Sequence, residues 1–267
     1  VCMMNRNTPT FVFLLICLLG FNAAQGSLLG PGDIAFTGWN ADSRDAFSFV
    51  ALTDINAGES IVFTDNEWSG TAFTSGESEL SWTASNGLAA GTIVAITDSH
   101  SATDVAASSG SVSGRVALNA SNEGLFALLG TLAAPSHFLT AFSSDGAAGF
   151  GSLSGTGLTV GLNAIDFHGT ASQDDDVFAY AGIRAGESSF SDYLGLINDT
   201  NHWLSQGGSG SQHNDGIVPD TPFSTIPFVV QPAAVVAEPS SLSLLLLAMI
   251  VLVGLRYRSS ANHLSIG

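Results

Sequence analysis

The sequence predicts an all-β protein, an antiparallel β-sandwich set between two apolar ends. Three observations predict it. Short apolar runs rich in Val, Ile, Phe and Thr recur at intervals of roughly 10–15 residues. The gaps between them hold Gly, Ser, Asn and Asp, the residues that turns require. The alternation inside the runs has the two-residue period of a pleated strand, as in Ala46–Leu52, where Phe47 and Phe49 fall on one face.

Taken in order, residues 1–26 read as a secretory signal peptide. Arg6 supplies the positive start, Phe11–Phe21 the apolar stretch, and Ala23, Ala24 and Gly26 the small residues near a cleavage site. Residues 27–230 form the predicted extracytoplasmic sandwich. Its first half carries strand candidates at Asp33–Thr37, Ala46–Leu52, Ser60–Asp65, Leu80–Ala84 and Thr92–Asp98. Its second half carries Gly124–Leu129, Phe138–Phe142, Ala164–Phe167, Val177–Ala181 and Ser224–Val230, with Pro227 marking an edge strand or bulge. Ser191–Ile197 predicts a short helix capped by Ser191, and Gly207–Gly216 a loop. Three of the early runs end in Thr-Asp, at Thr53-Asp54, Thr64-Asp65 and Thr97-Asp98. This predicts aspartate side chains bonding the amides just beyond each strand. Residues 231–241 read as a linker and sorting motif, 242–258 as a transmembrane helix with a basic end, and 259–267 as a cytoplasmic tail.

Composition excludes several classes of function. Charged residues make up 11% of the chain, lysine is absent, and the net charge is -17. Only Arg44, Arg115 and Arg184 lie between the apolar ends. Such a surface repels phosphates, so nucleic acid is not an expected partner. Both cysteines, Cys2 and Cys17, sit in the first apolar region, so the middle has neither a disulfide nor a thiolate metal site.

The C-terminal stretch Val235–Arg258 organises the rest. Leu242–Leu255 is apolar on all faces. It is shorter than the ~20 residues that usually span a bilayer, a gap that snorkelling arginines and flanking Ser and Ala residues close. Arg256 and Arg258 follow directly and hold that end in the cytoplasm. Ala237-Glu238-Pro239, the apolar run and the basic pair together resemble the PEP-CTERM sorting signal of Gram-negative bacteria, with Ala237 where the family has its first proline. The resemblance implies an exosortase-like processing protease, passage through the inner membrane, removal of the helix, and release or attachment at the cell surface. An uncut single-span anchor is the alternative.

A second resemblance lies in the middle. G-D-I-A-F-T-G-W-N-A-D (Gly32–Asp42), F-S-F-V-A-L-T-D-I (Phe47–Ile55) and I-V-F-T-D-N-E-W (Ile61–Trp68), with N-D-T-N-H-W (Asn198–Trp203) and T-P-F-S-T-I-P-F (Thr221–Phe228) later, are similar to lamin-tail-type immunoglobulin-like sandwiches of secreted bacterial proteins. This implies an immunoglobulin-like fold, with a jelly-roll-like one beside it, and no particular activity.

The search for chemistry selects little. Six histidines occur without the spacing of a helical zinc motif. A G-x-S-x-G elbow is absent. Asp174, Asp175 and Asp176 are the calcium candidates, since calcium takes several hard oxygens from such runs; the competing reading is a solvated acidic turn. Trp39, Trp68, Trp82 and Trp203 would make a sugar-stacking platform if exposed, and core if not. The expectation is therefore a non-catalytic structural or binding module at the cell surface or in the extracellular matrix, with polysaccharide among its ligands. The alternative is a secreted hydrolase with a loop-borne site.

Overall fold

The computed structural model describes residues 29–120, 122–144, 149–168, 175–231 and 249–251. Twelve strands among them form two six-stranded sheets. One sheet runs, in spatial order, β12 (Trp203–Gly207), β11 (Asp175–Tyr180), β1 (Ile34–Asn40), β2 (Ala46–Ala51), β5 (Ile93–Thr97) and β6 (Ala106–Ala107). The other runs β10 (Ala164–Asp166), β9 (Ala134–Ser143), β8 (Gly124–Thr131), β3 (Ser60–Thr64), β4 (Glu79–Thr83) and β7 (Ser111–Gly114). The chain passes between sheets at β2–β3, β4–β5, β6–β7 and β10–β11, as a sandwich requires.

The core between the sheets is aromatic. Phe47 and Phe49 share a face, as their alternation predicts, and both meet Phe63 of the opposite sheet, with ring centroids 4.8 and 5.4 Å away. Phe142 of β9 stacks on Trp39 of β1 at 4.6 Å and 9°. It also packs against Phe36, Phe167, Phe178 and Trp203. Each such ring, buried, contributes about 1.5–3 kcal/mol. Phe36 and Trp39 are three residues apart and would face opposite ways in a regular strand. A β-bulge resolves this: Phe36 pairs with Phe49 and Gly38 with Ser48, so Thr37 is the extra residue and both rings point inward.

Both sheets also carry apolar outer faces. In β8, Leu125, Ala127 and Leu129 face the central core, while Phe126 and Leu128 join Val62, Phe138 and Ala141 outside. Trp68, Phe150 and Leu158 cover that outer face from two loops. On the other sheet, Phe223 covers Ala46 and Val177. Gly38 makes room for it, since a Cβ there would lie 2.7 Å from the Phe223 ring.

Several expectations are corrected. The sandwich is not wholly antiparallel: β10 lies parallel to β9, Ala164 opposite Ala141, because the long connection 144–163 returns the chain to the same end. Ser224–Val230 forms no strand and makes only an isolated bridge, Ala185 to Val229. Pro227 has no N–H to give, and Arg184 takes the carbonyls of Ser224 and Ile226 at 3.3 and 3.0 Å. The helical segment starts earlier than expected. Phe190–Asp192 is one turn of 3-10 helix with Ser189, not Ser191, at the N-cap, and α1 (Tyr193–Ile197) follows. The Asp192 carboxylate accepts the Ser189 N–H at 2.9 Å.

The Thr-Asp aspartates act at long range rather than locally. Asp54 accepts from Ala90 N, Asp65 from Ser78 N and Ala117 N, and Asp98 pairs with Arg44. The expected signal peptide, and Ala237, Glu238, Pro239, Arg256 and Arg258, lie outside the described residues. Of the expected transmembrane segment, residues 249–251 are helical and exposed. Among the described residues no helix is long and apolar enough to cross a membrane.

Candidate functional site

The site grows from the end of β3, where the sequence runs T-D-N-E-W. Residues Glu67–Thr74 close a tight hairpin: Thr74 N donates to Glu67 O at 2.8 Å and Ser69 N to Ala72 O at 2.9 Å. Thr74 Oγ1 also donates to Glu67 Oε2 at 2.7 Å. Trp68 and Phe73 face one another across it, with ring centroids 4.9 Å apart. Trp68 is fixed by its indole N–H, which donates to Ser154 O at 2.9 Å, and by Phe138 at 5.0 Å. Gly151 (φ 66°) lets the neighbouring loop approach, since a Cβ there would sit 2.6 Å from Trp68 O. Sequence and packing therefore hold the hairpin rigidly against the sheet.

A groove of about 390 Å³ lies between this hairpin and the β8–β9 turn. Trp68, Phe73, Leu132 and Pro135 give it apolar walls, while Thr71 and Glu77 give it polar ones. Its lining holds no Arg, Lys or His. Glu77 is exposed, and no hydrogen bond to its carboxyl occurs among the described residues. Partial burial, and then the charges of Asp65 and Glu67, push that carboxyl above its ordinary range.

Behind the groove three carboxyls hold one loop. Ala117, Leu118 and Asn119 present consecutive amides to Asp65 Oδ2 (3.2 Å), Asp45 Oδ2 (2.9 Å) and Glu123 Oε2 (3.3 Å). The Asn119 side-chain amide adds a 2.7 Å bond to the same Glu123 oxygen. These acids come from three separate places in the chain. Burial raises all three, against the lowering effect of the amide bonds. Glu123 is pushed furthest, to about 8, because Glu77 and Asp65 add their charges to the burial. Burial and these neighbouring charges favour its protonated form.

The residues singled out from sequence fall elsewhere. Asp175 and Asp176 lie in β11, where Asp175 pairs with Gly207 and Ala41 N donates to Asp176 O. Asp174 is outside the described residues. Among the described residues no group of three or more His, Cys, Asp or Glu side chains could hold a metal ion. The four tryptophans are all buried, at 8% exposure or less, so none is an exposed platform, although Trp68 also lines the groove. His202 and His213 are half-buried, and their Nδ1 atoms lie 2.9 Å from Leu196 O and 2.6 Å from Thr221 Oγ1. Phe73, Glu77, Asp45 and Glu123 were not legible as a group. The one signal was the cluster of acids around Trp68 in D-N-E-W.

No family model, curated protein or solved structure matches this chain.

Proposed function

We propose that the chain is an exported cell-surface or extracellular-matrix protein whose sandwich is a non-catalytic module binding a neutral polysaccharide in the Trp68–Phe73 groove. The observation that carries the reading is the groove's chemistry. Aromatic and aliphatic walls suit the C–H faces of sugar rings. Hydroxyls and one unpartnered carboxylate suit their O–H groups, and the absence of a cation in the lining disfavours anionic ligands.

In this reading the tail, with Ala237, Glu238, Pro239, Arg256 and Arg258, delivers the domain across the inner membrane of a Gram-negative cell to an exosortase-like protease. The acidic, cysteine-free middle supports a location outside the cytoplasm. The finer assignment of the sandwich as immunoglobulin-like, of lamin-tail type, or jelly-roll-like belongs to the same proposal. Its support is the layered core and the repeated crossing between sheets.

Isothermal titration with neutral and acidic polysaccharides tests the binding. The expected result is heat with a neutral glycan, lost in Phe73→Ala and weakened about tenfold in Glu77→Gln, which removes a charge-assisted hydrogen bond. Binding unaffected by Phe73→Ala contradicts the proposal.

A second reading has one observation in its favour. Glu123, whose carboxyl burial pushes up to about 8, neighbours Asp65 and Glu77, and a carboxyl raised by its surroundings beside a second carboxyl is what glycoside hydrolysis uses. Release of reducing ends from a bound glycan, abolished in Glu77→Gln, would support this hydrolase over the binding module.

A further inference from the structure

On the outer face of the first sheet, a cleft of about 230 Å³ opens between β2, the end of β5 and the loop 208–223. It shares no lining residue with the groove. One wall is apolar, made by Ala46, Pro222 and Phe223. Phe223 is only 7% exposed and is seated against Gly38, so this wall is preformed. The other wall is an ion pair: Arg44 Nε donates to Asp98 Oδ1 at 2.6 Å. His213 also lines the cleft and is oriented by Thr221, whose Oγ1 lies 2.6 Å from Nδ1. Two ties hold the loop over the cleft. Gln212 N donates to Asp42 Oδ2, and Ser43 and Ser211 share a hydroxyl bond at 2.7 Å.

Arg44 is one of only three cations between the apolar ends of this acidic chain. Arg184 is spent on backbone carbonyls and on the Phe228 ring, 5.5 Å from its guanidinium carbon. Arg44 instead keeps both terminal nitrogens free of hydrogen bonds among the described residues, with its side chain 59% exposed. Asp98 likewise keeps Oδ2, and His213 keeps Nε2.

From this geometry we infer a second binding site, one for a neutral, polyhydroxylated ligand of about one sugar ring. An anion meets Arg44 already neutralised by Asp98, with Asp42 close behind, in a molecule of net charge -17. A cation meets the Arg44 guanidinium. A neutral diol suits both partners of the pair: one hydroxyl accepts from the guanidinium terminus and another donates to Asp98 Oδ2. Its C–H face lies on Phe223 and Pro222. The volume falls below the about 300–1,000 Å³ of sites for drug-sized ligands, which sets the size at a single ring.

Saturation-transfer NMR on the full chain, in a detergent without sugar headgroups, tests this with free glucose, galactose and mannose. The expected result is transfer to at least one of them. Measured in the Phe73→Ala background, which silences the groove, affinity should fall about tenfold on adding Arg44→Gln or Asp98→Asn, with native tryptophan fluorescence. Transfer to none of the three overturns the inference, as does transfer that survives Arg44→Gln in the Phe73→Ala background. Transfer lost in Phe73→Ala alone also overturns it, while leaving the groove reading intact. Transfer sensitive to Arg44 with no polysaccharide bound in the groove upholds the cleft and removes the groove.

Discussion

Replacing Glu123 by glutamine should make the protein more stable at alkaline pH and leave it unchanged in mild acid. The Glu123 side chain is buried at 5% exposure, and its folded-state value is about 8 against an ordinary 4.5. Between those two limits the folded protein binds a proton that the unfolded chain has released. Stability therefore falls as pH rises through that window and is flat beyond it. At about 1.36 kcal/mol per pH unit the interval is worth at most about 5 kcal/mol. Glutamine keeps a carbonyl to accept the two Asn119 N–H bonds and has no charge to bury. Glu123→Gln should therefore match the parent near pH 4.5 and exceed it near pH 8.5, with a melting temperature higher by up to roughly 10–20 °C. Urea titrations across that range, followed by the fluorescence of the four buried tryptophans, measure it. Parallel pH profiles for parent and variant would refute the reasoning, because they would mean that Glu123 is already ionised in the folded state.

Phe142→Ala removes the ring on which five other aromatic rings converge and should cost about 3–5 kcal/mol, read as a lower urea midpoint. Gly38→Ala places a Cβ 2.7 Å from both Phe223 and Ser48 Oγ. It should cost about 1–3 kcal/mol and abolish monosaccharide transfer in the cleft, while polysaccharide titration of the groove stays unchanged. Under the proposed sorting route, Ala237→Pro, which makes the tripeptide Pro-Glu-Pro, should raise the processed fraction of the chain, measured by immunoblot of cell fractions.

The sandwich was legible because its strongest signals are local. The Phe47/Phe49 alternation and the runs at Ser60, Leu80 and Thr92 each became a strand within one or two residues of the expected ends. What escaped was set by partners distant in sequence. Ser111–Gly114 and Trp203–Gly207 have little apolar character, and they are strands because β4 and β11 offer them free edges. The bulge at Thr37 depends on β2, and no periodicity within β1 shows that Phe36 and Trp39 share a face. Ser224–Val230 looks like a strand, yet Arg184 claims its carbonyls from 40 residues away.

The functional surfaces were harder still. Trp68 was visible as a residue but not as a groove wall, since that role needs Phe73, Leu132 and Pro135 beside it. Asp45, Asp65 and Glu123 are scattered acids in the sequence. Only the fold brings them to three consecutive amides of one loop.

Mass spectrometry of both ends of the chain, taken from fractionated cells, tests the central claim of export most directly. The account predicts a mature N-terminus just after Gly26, a C-terminus near Glu238, and recovery in the surface or extracellular fraction. A chain intact at both ends in the cytosolic fraction would contradict it.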